Sequence, residues 1–190
     1  MIILDFETNS TNIHDVIEVA AFRVALVNNT YKVLDTFHRY YFSPYEVNPH
    51  ALAVHKLTPQ RIEKLRLGVS YEAYFEDDAD FIAFCKNTST LVAHNISFEL
   101  RHIGKLLSFE KHFCTMKENK KVVKATNIRG NIKNPKLIET CNHYHIDFDD
   151  AQYHSAIYDV TKTLEILNKM ECGGWLVHRT FCPLLPYINN

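Results

Sequence analysis

The sequence predicts a single α/β domain on a mixed sheet, antiparallel at first and helix-connected afterwards. Residues 1–42 read as three strands separated by tight turns, with no helical period. From Thr58 onward, apolar residues recur at helical spacing around one further strand-like run. A chain of 190 residues, 46% hydrophobic, suffices for one buried core and is short for two.

Met1-Ile2-Ile3-Leu4 is an unbroken apolar run, the pattern of a strand buried on both faces. Val16 to Val27 is the second strand, and Asn28-Asn29 the hairpin turn, because Asn tolerates positive φ. Tyr31 to Phe42, aromatic and β-branched, is the third. Thr58 caps a short helix with Pro59 in its first position. Glu76, Asp77, Asp78 and Asp80 precede and open a helix through Phe81 and Cys85, an arrangement the helix dipole favours. Thr90 to Ala93 is a short strand. Ser97 is expected to cap the next helix, which carries Ile96, Leu100, Ile103 and Leu107 on one stripe. Pro135 to Tyr144 is a further helix. Ala156 to Met170 is the last, with Gly173-Gly174 as its stop. Asn119 to Asn134 is the least patterned stretch and reads as a loop. The domain is therefore expected over 1–172, with an apolar tail at 173–190, broken by Pro183 and Pro186, folded back on it.

The formal charge of −1 gives no global sign of a polyanionic partner. Basic residues nevertheless crowd between Leu100 and Leu137, where Lys117, Lys120, Lys121, Lys124, Arg129, Lys133 and Lys136 face few acids. That block reads equally as a solvated surface and as a phosphate-backbone contact. Five irregularly spaced cysteines without a CxxC argue against a disulfide framework and for a reducing compartment. Cys141-x-His143-x-His145 lacks the second ligand pair of a zinc finger. The chain opens on a strand without a signal peptide and has no run long enough to cross a bilayer, so a cytoplasmic location is expected.

Three separated phrases carry the chemistry. Asp5 and Glu7 are two apart on a strand, so their carboxylates share a face. Side by side at the end of a buried strand they repel and are costly to desolvate, and a cation is the simplest remedy. Glu99 follows His94-Asn95-Ile96-Ser97-Phe98 in the first turn of its helix. Asp159 lies in the first turn of the last helix, five residues after His154 and beyond a capping Ser155. Singly, these are commonplace: a strand fraying into a loop, two helix-dipole acids, and one of eleven histidines. Together they supply four carboxylates and a histidine, the groups needed to hold two hard cations and deprotonate a water beside them.

The combination resembles the DnaQ-like DEDDh family of 3′–5′ exonucleases on the ribonuclease H-like fold. That family shows D-x-E on its first strand, H-N-x-x-F-D after a later strand, and H-x-A-x-x-D at its last helix. Here these read Asp5-Phe6-Glu7-Thr8, His94-Asn95-Ile96-Ser97-Phe98-Glu99 and His154-Ser155-Ala156-Ile157-Tyr158-Asp159. Ile17-Glu18-Val19-Ala20 looks like the family's second strand, and Ala53-Val54-His55-Lys56-Leu57-Thr58 like its V-H-G-I-T segment. The likeness runs from residue 1 to about 170. The sister branch places a tyrosine four residues before the last Asp, where this chain has Ser155, so the histidine branch fits.

The resemblance implies a three-layer ribonuclease H-like fold and hydrolysis of terminal phosphodiesters of DNA or RNA to nucleoside 5′-monophosphates. Asp5, Glu7, Asp159 and Glu99 would hold two Mg²⁺ or Mn²⁺ ions, with His154 as general base. Thr8, Asn9, His55, Asn95 and Phe98 would surround the 3′ end of a single-stranded nucleic acid. A polymerase partner, for which the tail would serve as docking segment, and self-association are both compatible with the family. A non-catalytic nucleic-acid-binding module would not require the full acidic set, and a ribonuclease H-type endonuclease would not require H-x-x-x-x-D. Three positions depart from the pattern. Glu99 stands where Asp is usual, as in the proofreading exoribonucleases of nidoviruses. Asn9 replaces the glycine after D-x-E-T, where its tolerance of positive φ would preserve the turn. Lys56 replaces the glycine of the V-H-G-I-T segment and brings a long cation toward the substrate path.

Overall fold

The computed structural model describes residues 1–172; the expected tail and its Gly173-Gly174 stop lie outside the described residues. Five strands form one sheet in the order β3-β2-β1-β4-β5. β1 (Ile2–Thr8), β2 (Val16–Val27) and β3 (Thr30–Tyr40) are antiparallel neighbours. β4 (Thr90–Ala93) and β5 (Lys111–Cys114) continue the sheet in parallel on the other side of β1. The helices are α1 (Pro49–His55), α2 (Pro59–Leu65), α3 (Ala79–Cys85), α4 (Ile96–Ile103), α5 (Thr115–Val123), α6 (Leu137–His143) and α7 (Ala156–Cys172). This is the ribonuclease H-like architecture the motifs imply.

Strand alternation in β1 sorts the core into two layers. Ile2, Leu4 and Phe6 face Phe75, Phe81 and Phe84 together with Ile96 and Ile103 of α4. Ile3 faces the opposite way and packs with Ala20, Phe22 and Val24 of β2 under Val160, Ile166 and Leu167 of α7. Asp5 and Glu7 continue the alternation that Ile3 begins. The face that is apolar core at Ile3 becomes acidic two residues later, at the N-terminal end of α7. In the register, Asp5 pairs with Ala20 and Glu7 with Glu18. The small Ala20 side chain leaves room beside Asp5.

Local chemistry explains the turns and caps. Asn28 and Asn29 both take positive φ, 51° and 57°, as the two-residue hairpin requires. The Thr58 hydroxyl accepts the Arg61 N–H and caps α2, with Pro59 inside it. Asp78 caps α3 by accepting the Asp80 N–H. Three expectations need correction. Ser97 is not the cap of α4: the helix begins at Ile96 with Asn95 in the cap position, and Ser97 lies within the first turn. Asn119–Asn134 is not all loop, because α5 runs through Val123 and fully buries Asn119, whose amide donates to the Thr115 carbonyl at 2.8 Å. The third strand ends at Tyr40 rather than Phe42. Among the described residues no helix is long and apolar enough to cross a membrane, and Cys85, Cys114 and Cys141 are free and buried.

Candidate active site

β1, the turn from β4 into α4, and the N-terminal end of α7 converge on one cleft of roughly 340 Å³, within the range of small-ligand sites. Asp5, Glu7, Thr8, His55, His94, Asn95, Phe98, Glu99, His154 and Asp159 all line it, together with Tyr153 and Leu137. Nine of the ten expected site residues are thereby brought together. Asn9 is the exception. It is buried, its amide donates to Ser43 Oγ and the Glu46 carbonyl at 3.0 Å each, and its Oδ1 accepts the Asn48 N–H at 3.0 Å. It is absent from the residues of positive φ. Asn9 therefore pins the chain leading into α1 and does not face the cleft.

The acids occupy a poorly solvated corner. Glu7, Glu99 and Asp159 are 8%, 2% and 6% exposed. Burial raises the Asp5 carboxyl well above its usual range, and Asp159, Glu99, Glu7 and Glu18 raise it further. Glu7 is raised by burial and by Asp159, Glu18 and Glu99. Burial lifts Glu99 to about 8. It lifts Asp159 to about 7, against a backbone hydrogen bond from His154 that favours the ionised form. Glu99 Oε2 and Asp159 Oδ1 are buried without any hydrogen-bond partner. Ligand atoms of Glu7, His154 and Asp159 lie within 4.8 Å of one another. Orphaned carboxylate oxygens buried at one cleft are what a hard divalent cation satisfies, and an oxygen-rich set suits Mg²⁺ or Mn²⁺. The residues fit such a site. Cys141, His143 and His145 form no comparable group among the described residues.

His154 takes a positive φ of 64° at the entry to α7, and Tyr153 stacks on its ring at 3.7 Å with 25° between planes. Burial lowers its pKa, and Lys136 and Lys56 lower it further. The ring is thus biased toward the neutral, proton-accepting form. His55 Nδ1 accepts the Leu57 N–H at 2.9 Å, so the neutral ring carries its proton on Nε2, which is buried without a partner at the cleft wall. His94 serves as a strut: Nδ1 meets Thr115 Oγ1 at 3.0 Å and Nε2 donates to the Pro135 carbonyl at 3.2 Å. Burial takes its pKa down to about 4. Phe98 lies over His102 at 4.7 Å and presents its remaining surface to the cleft. Lys56 caps α1 in the left-handed region, φ 57°, where a glycine would be unstrained.

Two residues were given no role at the site by the sequence reading. Tyr153 carries no motif and is recognisable only from its stacking. Glu18, 1% exposed and opposite Glu7, adds a fifth carboxylate to the corner. Its signal was available: a lone charge inside the apolar run Val16 to Ala21.

Comparison with known proteins agrees with this geometry. The family model RNase_T, described as "Exonuclease", matches residues 2–167. Ribonuclease T of Shewanella denitrificans is 27% identical over 191 aligned positions, covering 92% of this chain and 83% of that protein. Among solved structures, Exonuclease X in complex with 5′ overhanging duplex DNA superposes with a TM-score of 0.61 at 21% identity, covering 92% of this chain and 93% of that one. The nuclease domain of 3′hExo, a DEDDh family member, bound to rAMP, gives 0.62 at 18% identity, with 91% and 92% covered.

Proposed function

We propose that this chain, which belongs to the RNase_T exonuclease family, is a 3′–5′ exonuclease of the DEDDh type. From that premise we propose that it hydrolyses the terminal phosphodiester of DNA or RNA to a nucleoside 5′-monophosphate, with His154 as general base and two divalent cations as cofactors. The observation that carries the proposal is the meeting of Glu7, His154 and Asp159 within 4.8 Å at the floor of a cleft that Asp5 and Glu99 also line.

Asp5, Glu7, Asp159 and Glu99 would hold Mg²⁺ or Mn²⁺. When bound, such ions stabilise the charge that builds on the attacking and leaving oxygens. The remaining steps belong to side chains of this chain. His154, kept neutral by burial and by Lys136 and Lys56, takes the proton of the attacking water. Tyr153 holds its ring by stacking. His55 offers its Nε2 proton, and Thr8 and Asn95 offer polar groups, to the terminal nucleotide. Phe98 supplies an apolar face for its base. Lys56 and Lys136, whose charges reach His154, would meet the phosphates of the following nucleotides. Self-association, or alternatively a polymerase partner docked on the tail at 173–190, and a cytoplasmic location extend the proposal.

End-labelled single-stranded DNA, single-stranded RNA and a 3′-mismatched duplex, incubated with Mg²⁺ or Mn²⁺ and resolved as ladders, test it. Stepwise shortening from the 3′ end with release of 5′-monophosphates is expected, and the three substrates rank the sugar and strand preference. Internal cuts at early times would overturn it.

A further inference from the structure

The cleft chemistry leaves Glu18 unused, yet Glu18 is an expensive residue to keep. It is 1% exposed, lies across the strand pair from Glu7, and raises the proton affinity of Asp5, Glu7 and Asp159. An apolar residue there would remove a repulsive charge from the corner. What Glu18 touches gives the reason for its presence. Its Oε1 accepts the Ser155 hydroxyl at 3.3 Å and meets His38 Nε2 at 2.8 Å. Burial and the same carboxylate raise the Tyr40 phenol above its ordinary range.

Ser155 connects this network to the chemistry. It directly follows His154, and its carbonyl accepts the N–H groups of Tyr158 and Asp159 at 2.9 Å each, opening α7. One residue therefore joins the base, the helix turn that presents Asp159, and, through its side chain, the central sheet. His154 itself sits in a left-handed conformation that an L side chain adopts only when its surroundings hold it there. We propose that Glu18 is a positioning residue for the phosphodiester hydrolysis: clamped by His38, it holds Ser155 and so fixes His154 and the start of α7 against β1 and β2. The geometry argues against Glu18 as a fifth metal ligand, because it does not line the cleft that Asp5, Glu7, Glu99 and Asp159 line, and its Oε1 is engaged by Ser155 and His38.

The inference rests on the exonuclease reading, and kinetics separate the two. Single-turnover rate, KM and Mg²⁺ half-saturation are measured on a labelled oligonucleotide for the wild type, Glu18→Ala, Glu18→Gln, Ser155→Ala, His154→Ala and the double variant Glu18→Ala/His154→Ala. A misplaced base costs on the order of 10²-fold or less. Glu18→Ala should lower the rate about 10- to 100-fold, with KM and Mg²⁺ half-saturation within about twofold. Glu18→Gln, whose amide oxygen can still accept from Ser155, should recover much of that loss. The double variant should be no slower than His154→Ala alone, because a group that acts through the base has nothing left to position. Ser155→Ala repeats the test without touching the sheet, should Glu18→Ala fold poorly, and should lower the rate with the same unchanged Mg²⁺ response. Multiplicative losses in the double variant, an unaffected Glu18→Ala, or a change confined to Mg²⁺ half-saturation would overturn the inference. A wild-type protein that releases no 5′-monophosphates would remove the exonuclease reading itself.

Discussion

The buried acids predict how the metal-free protein responds to pH. Glu99 is raised by burial from 4.5 to about 8, so between those values the folded protein keeps a proton that the unfolded chain has released. Folding stability then falls as pH rises through that window. Histidines complicate its lower part. Burial lowers His55, His94, His102, His112 and His154, so below about 6.5 they favour folding as pH rises and oppose the trend. The informative range is therefore pH 6.5 to 8. At about 1.4 kcal/mol per pH unit for one proton, Glu99 alone accounts for about 2 kcal/mol across it. Asp159, raised to about 7, draws on the same shared protons and is not added. For a domain of this size, about 2 kcal/mol corresponds to a Tm loss of roughly 4–8 °C. Thermal melts in chelator from pH 6.5 to 8 measure it. Glu99→Gln cannot ionise, so its metal-free Tm should be flatter and should exceed the wild type at pH 8. Mg²⁺ or Mn²⁺ binds the ionised acids and should raise the wild-type Tm more at pH 8 than at pH 6.5. A metal-free Tm that is flat from pH 6.5 to 8, or that Mg²⁺ leaves unchanged at pH 8, would refute the view of these carboxylates as a cation site held apart by repulsion.

The remaining predictions concern single side chains. His154→Ala should lower kcat about 10²- to 10⁴-fold while leaving the Mg²⁺-dependent rise in Tm in place, and a fully active variant would exclude the base role. Asp5→Asn should abolish turnover and weaken that Mg²⁺-dependent rise. Glu99→Asp withdraws the carboxylate by one methylene from neighbours already spaced for Glu and should impair activity; a faster enzyme would mean that Glu99 is a degraded ligand. Lys56→Gly relieves a left-handed φ of 57°, worth about 1 kcal/mol of strain, and removes a cation that lowers the His154 pKa. The acid limb of its rate profile should move to higher pH, and the salt dependence of KM should weaken by about one phosphate contact.

The fold was legible where a local rule and burial agreed. β2 and β4 were read at their observed limits because each is a mainly apolar run bounded by turn residues. The Asn28-Asn29 hairpin and the Thr58-Pro59 helix start each carry their own chemistry. α1, β5 and α5 went unread for a shared reason. His50, Val54, Lys111, Lys117 and Lys120 are surface-facing, so apolar periodicity is faint, and neighbours supply what the local pattern lacks: β5 is fixed by pairing with β4, and α5 by burying Thr115 and Asn119. Ser97 misled because a hydroxyl near a helix start is a cap only if the chain turns there, and the turn occurs two residues earlier.

The site was legible to the extent that its groups sit in spaced motifs, and the exceptions are instructive. Asn9 occupies a motif position yet serves the scaffold, since its side chain is buried, bonded to Ser43, Glu46 and Asn48, and lines no part of the cleft. Glu18 is the converse. It belongs to no catalytic motif, but strand register places it against Glu7, and the first turn of α7 brings Ser155 to it across 137 residues of sequence. A charge inside an apolar strand is costly wherever it occurs, so the sequence alone could show that Glu18 needs a partner. Which partner it has depends on sheet order and on where α7 begins, and both are properties of the assembled fold. The carboxylates that face the substrate can therefore be read from spacing, whereas the one that orients the base becomes visible only when β2 and α7 are seen in contact.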